Sequence, residues 1–170
     1  MTTITNLSTQ RVSPVGRARR LVTSFARPAN TTAYAAGDVI SSTTGALCIG
    51  FTEAGASGII RDATVIMAET DTANLQLIVF DAEPTNFADN TALALVAADD
   101  AKIVGIFNLT DARKSNIGTN REIYRTDVGQ GIRSYTSTNG QLFGLLVTRS
   151  IFTPISAGTY LIGLHVEADS

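Results

Sequence analysis

Leu75-Gln76-Leu77-Ile78-Val79-Phe80 is the run that decides the fold class. Six residues are too few for a core helix, and β-branched and aromatic side chains suit a pleated, buried surface. The run reads as a core strand. Asp81-Ala82-Glu83-Pro84-Thr85-Asn86 breaks it, because proline has no donor for a ladder. Ala88 to Asp100 is rich in Ala and Leu and carries Asp89 and Asn90 as caps, which predicts one or two short helical turns. Beyond it, strands are predicted over Lys102 to Leu109, Arg121 to Thr126, Gln141 to Thr148 and Thr159 to Glu167. Turn residues stand between them: Asn116, Gly118 and Asn120, then Gly129, Gly131, Asn139 and Gly140, then Pro154, Ala157 and Gly158.

On the N-terminal side the same reading gives Leu21 to Ala26, ending before Pro28, then Asp38 to Ile40, Ala46 to Phe51 and Ile59 to Glu69. In Ile59 to Glu69 neither alternate face is cleanly polar. Asp62 and Thr64 share one face with Ile60 and Ile66, and Arg61 shares the other with Ala63 and Val65. Such a strand is covered on both sides or bends midway. About eight or nine strands with almost no helix predict an all-β chain whose natural solution is a two-sheet β-sandwich. Several separators are too long for tight hairpins, which favours a jelly-roll-like topology.

The chain has 170 residues, room for one domain with a core of its own. Its boundary is predicted between a flexible N-terminal arm, residues 1–20, and a sandwich over residues 21–170. Every charge in the first 30 residues is positive: Arg11, Arg17, Arg19, Arg20 and Arg27. The rest holds 8 basic and 15 acidic side chains, so a basic arm precedes an acidic body. Planar guanidinium groups grip acidic surfaces, which makes Arg11, Arg17, Arg19 and Arg20 the candidate partner-binding residues. Nucleic acid is the less favoured partner, because one short cluster without interleaved aromatics is a poor track for bases.

Composition closes off several chemistries. One histidine, His165, and one cysteine, Cys48, cannot build a four-ligand zinc site of Cys and His within one chain. His165 falls in the alternating run Tyr160 to Glu167 and reads as a polar strand-face residue rather than a triad member. Cys48, between Leu47 and Ile49, reads as a small buried hydrophobe. Gly129-Gln130-Gly131 follows no βαβ strand and opens no helix, so it reads as a turn rather than a dinucleotide loop. Asp81, Glu83, Asp89, Asp99 and Asp100 match no calcium-loop spacing and read as a solvated acidic rim. No catalytic residue, cofactor or metal is expected. Charged residues make up 16% of the chain, below the roughly 25% of an average domain, as if partners cover part of the surface. The longest apolar runs fall far short of the roughly 18 residues that span a bilayer, and Met1 to Gln10 lacks an apolar signal core. No membrane partner is expected, and the protein should be made in a cytoplasm or packaged from one.

Tyr34-Ala35-Ala36-Gly37-Asp38-Val39-Ile40, Leu75 to Thr85 with Ala88-Asp89-Asn90-Thr91-Ala92-Leu93, Leu142 to Arg149 and Gly163-Leu164-His165-Val166 together resemble small tailed-bacteriophage virion proteins of the head decoration, or capsid cement, type. The likeness covers residues 20–168, and its motifs are structural. It implies a non-enzymatic jelly-roll-like sandwich that assembles as a dimer or trimer outside the head and clamps neighbouring major capsid subunits. Beside the arm, exposed loops, Phe87 to Asp100 among them, are the expected contact surfaces. The alternatives are a tail or fibre component with a receptor-binding role, and a free carbohydrate-binding module, which the absence of Trp disfavours.

Overall fold

The computed structural model describes residues 17–42, 49–51, 56–69, 73–85, 87–110, 115–118, 121–126, 133–137 and 139–169. Arg11, Cys48 and the Gly129–Gly131 turn lie outside them. The strands are β1 (Arg17–Ala26), β2 (Val39–Ile40), β3 (Ile49–Phe51), β4 (Ser57–Met67), β5 (Leu75–Phe80), β6 (Ile103–Leu109), β7 (Ser115–Gly118), β8 (Arg121–Arg125), β9 (Arg133–Thr136), β10 (Leu142–Thr148) and β11 (Thr159–Ala168). β7 and β9 escape a sequence reading because Ser115-Asn116-Ile117-Gly118 and Arg133-Ser134-Tyr135-Thr136 are too short and polar to show alternation. The single helix among the described residues is α1, Ala97–Asp100. Asp89 and Asn90 cap no helix; they form a turn in which Asn90 has φ 57°.

One sheet runs β1-β11-β4-β8-β7, with β9 also on β4, and the other runs β2-β10-β5-β6, with β3 on β10. The pairing is nested. β1 pairs β11, β2 pairs β10, β4 pairs β8 and β9, and β5 pairs β6, all antiparallel. Folding such a long hairpin over on itself gives the jelly-roll arrangement of two packed sheets. The β-sandwich expected from the sequence is therefore the fold.

Leu21, Ile60, Ala63, Val65, Met67, Tyr124, Ile162 and Leu164 from the six-stranded sheet meet Ile40, Leu75, Leu77, Val79, Phe107, Leu109 and Leu146 from the other in one buried cluster. A second cluster lies on the far face of the five-stranded sheet. Val39, Ile78, Phe80, Leu145 and Val147 are buried there, with Phe87, Leu93, Leu95 and Ile103 packed against them. Leu75–Phe80 is thus covered on both faces, which is why its sequence is an unbroken apolar run. Segment 87–101 spends its apolar side chains on its own sheet, leaving Val96 49% exposed.

The mixed faces of β4 have a local cause. His165 pairs Asp62 but Val166 pairs Ile60, so Arg61 is an extra residue in the strand, a β-bulge. Ile60 before it and Ala63, Val65 and Met67 after it all reach the core. The bulge changes the parity of the alternation in mid-strand, and Asp62 and Thr64 are left on the outer face.

Candidate functional site

Opposed residues in a sheet share a face, so the register places side chains in rows across the outside of the six-stranded sheet. Arg20, His165 and Asp62 form one row, from β1 across β11 to β4. Val22, Gly163, Thr64 and Arg125 form the next. Gly163 stands at the centre with no side chain. A Cβ there would lie 2.8 Å from Thr64 Oγ1 and 3.5 Å from Arg20 Nε. Beside Thr64 in these rows lies a cavity of about 160 Å³ lined by Asp62, Thr64, Arg125, Thr126 and His165.

A gap in the neighbouring ladder widens this cavity. β9 covers Ser57–Ile60 and β8 covers Thr64–Met67, leaving Arg61 to Ala63 between them. Thr126 bridges the gap. Its Oγ1 accepts from Ala63 N at 2.7 Å and donates to Ala63 O at 2.8 Å, so this hydroxyl is engaged both as donor and as acceptor. Thr64 differs. It is 8% exposed, and its Oγ1 has no hydrogen-bond partner. His165 Nδ1 lies 2.7 Å from Asp62 Oδ1, both side chains being nearly half exposed. No acidic side chain pairs with Arg20 or Arg125 among the described residues.

A second polar cluster is closed, with the Ser41 hydroxyl its one buried side-chain atom that has no hydrogen-bond partner among the described residues. Arg27 is 0% exposed just past β1. Its Nε donates to Tyr34 Oη, its Nη1 to Ile155 O at 3.1 Å, and its Nη2 faces Asp89 Oδ2 at 3.4 Å. Tyr34 Oη donates to Asp89 Oδ1 at 2.5 Å, and Ser41 N donates to the same oxygen at 2.9 Å. Alongside, Tyr160 Oη donates to Glu69 Oε1 at 2.6 Å, and Ile155 N donates to Oε2 at 2.7 Å. Burial first, and then the adjoining carboxylate, pushes both phenols well above their ordinary range. This cluster ties four stretches of chain together at one end of the sandwich.

The structure corrects two expectations. Arg17, Arg19 and Arg20 belong to no free arm; β1 begins at Arg17, opposite Ala168, and the ladder continues through Arg19–Val166 and Arg20–His165. The backbone of β11 supplies partners that a local reading of an arginine-rich segment cannot see. Asp89 and Asp99 are likewise not on a solvated rim. Asp89 belongs to the closed cluster, and Asp99 is buried, accepting from Lys102 Nζ at 2.9 Å and Thr85 N at 3.2 Å. The Lys102 ammonium holds the Asp99 carboxyl below its ordinary value, burial opposing and Thr85 assisting. Glu83 and Asp100 are exposed, as a rim requires. His165 is on the strand face where the alternation put it, but nothing in the sequence brings Arg20, Asp62, Thr64 and Arg125 to it.

A jelly-roll β-sandwich with an open polar cavity on one outer face is the class that this geometry defines. No family model and no curated protein matches the chain. Among solved structures, it is similar to a chain of the capsid of Ralstonia phage GP4, at 14% identity and a TM-score of 0.45, over 100% of this chain and 92% of that one. It is also similar to the VP2 protein of infectious bursal disease virus, at 12% identity and a TM-score of 0.20, over 98% of this chain and 44% of that one. At these values no function passes from those proteins to this one.

Proposed function

We propose that this chain is a non-enzymatic phage virion protein of the decoration type, one that binds the outside of an assembled head and clamps neighbouring capsid subunits. The observation that carries this reading is β1. It is ten residues long and, among the described residues, stands at the end of its sheet, paired on one side to β11. A long edge strand presents unpaired backbone donors and acceptors and is a template for a strand from another chain. Its outer face carries Arg20 beside Val22, which is 49% exposed. An arginine anchor next to exposed apolar surface is the composition of a protein interface. The sequence resemblance to cement proteins and the sparse surface charge support the same reading. A second copy of this chain, or a capsid subunit, is the partner such an edge takes.

Quantitative mass spectrometry of purified particles from the source tests it. The expected result is a copy number equal to, or a simple fraction of, that of the major capsid protein. A handful of copies per particle moves the protein to the tail, and absence removes it from the virion. Arg19 and Arg20 are replaced by Gln, leaving the β1–β11 ladder in place, to separate the strand's role from that of residues 1–16. Shell binding that keeps its affinity and salt dependence in the double variant takes β1 out of the contact.

A further inference from the structure

We propose that the cavity lined by Asp62, Thr64, Arg125, Thr126 and His165 is a binding site for a small oxyanion group, a phosphate or a carboxylate. The site stands on its own residues and is independent of the decoration reading. Arg125, His165 and Thr64 supply the donors of the lining, Arg20 stands beyond them in the row of His165, and neither guanidinium group has an acidic partner among the described residues. Guanidinium groups match the planar fork of a carboxylate and the oxygens of a phosphate. The acidic residue of the described lining, Asp62, has its Oδ1 2.7 Å from His165 Nδ1, though this oxygen, like Thr64 Oγ1, makes no hydrogen bond.

Thr64 turns a basic surface into a built site. A buried hydroxyl without a partner is costly to the fold, yet Thr64 Oγ1 sits in that state at the cavity wall, 8% exposed. Thr126 beside it has both hydrogen-bonding roles filled by Ala63, so an empty valence is not the rule at this edge. Gly163, opposite Thr64 in the ladder, leaves that hydroxyl uncrowded, because a methyl group there would approach Thr64 Oγ1 to 2.8 Å. A space of about 160 Å³ is several times the roughly 30 Å³ share of one liquid water, enough for one oxyanion group with part of its hydration.

His165 is the only histidine, so its imidazole Cε1–H gives one NMR signal from the cavity. The full chain is titrated at fixed pH with inorganic phosphate and, separately, with acetate, chloride holding the ionic strength constant. The expected result is a saturable displacement with half-saturation in the millimolar range, about 4 kcal/mol. Thr64→Val and Arg125→Gln should each weaken it at least about threefold, the loss of one hydrogen bond, with the unfolding midpoint showing that both variants fold. Saturation by phosphate alone assigns a phosphate-bearing ligand, by acetate alone a carboxylate, and by both a site for either. A linear displacement no larger than that with chloride overturns the proposal, as does saturation unaltered in both variants.

Discussion

The molecule holds two clusters of arginine, acid and hydroxyl, one around Arg27 just past the first strand and one around Gly163 beside Arg20 of that strand, and they are built to opposite ends. Around Arg27 every charge is enclosed and met: guanidinium by Tyr34, Ile155 and Asp89, carboxylate by phenol and backbone. Around Gly163 the guanidinium groups of Arg20 and Arg125 lack acidic partners among the described residues, and a buried hydroxyl is left unmet. The difference teaches where polar chemistry is architecture and where it is capacity. A satisfied, dry network is worth much to the fold and has nothing left to offer a ligand; a half-open, unsatisfied one contributes little to stability and keeps its donors free.

Mutation should separate the two sharply. Arg27→Met strands Asp89 with its charge 9% exposed, a change that costs about 3–5 kcal/mol for a buried pair broken on one side. At roughly 2–4 °C per kcal/mol for a chain of this size, thermal unfolding should start about 10 °C lower, while phosphate binding at Gly163 is unaltered. A smaller drop, of about 1–3 kcal/mol, is expected for Tyr160→Phe, which takes a donor from Glu69.

The same phenol carries a pH signature. The Tyr34 and Tyr160 phenols are raised above their ordinary value of 10.0, so the folded state retains protons that the unfolded chain releases. Stability is whole below about pH 10 and falls above it, by about 1.4 kcal/mol per pH unit for each phenol. Urea midpoints at pH 9 to 11 should therefore decline less steeply in Tyr160→Phe; an equal decline would show that Tyr160 is not enclosed. Asp99 gives the opposite limb. Its carboxyl is depressed below 3.8 by Lys102, so its contribution is present above that pH and lost as the pH falls through the folded-state value. Asp99→Asn should flatten acid unfolding there while leaving the alkaline limb intact.

The smallest effect has the reverse sign. Thr64→Val replaces the unmet hydroxyl with a methyl group and should stabilise the fold by up to about 1 kcal/mol, measured by urea unfolding without phosphate. With saturating phosphate the advantage should shrink, because the ligand stabilises only the form that binds it. A Thr64→Val chain less stable than the parent in both conditions would make Thr64 part of the architecture and erase the contrast.

Much of the sandwich was legible along the chain. Leu75–Phe80, Leu142–Thr148 and Thr159–Ala168 are strands within a residue or so of where composition and alternation put them. What was illegible lay where a contact distant in sequence changes the meaning of a residue. Arg17 to Arg20 read as an arm until β11 pairs with them. Asp89 reads as a cap or rim until Tyr34 and Arg27, more than fifty positions away, enclose it. Ile59 to Glu69 showed its anomaly openly, two faces of mixed polarity, but the alternation alone could not say that one extra residue, Arg61, was the cause.

By itself, then, the sequence determined the class of fold, the main strands and the scarcity of histidine and cysteine, because β-alternation and composition are local properties of a chain. Tertiary structure alone decided the nested order of the strands, the enclosure of Arg27 and the gathering of Arg20, Asp62, Thr64, Arg125 and His165 around Gly163. The physical reason is that register between strands is settled by long-range packing of two sheets, and a slip of one residue in the strand that carries it would send any of those side chains to the other face.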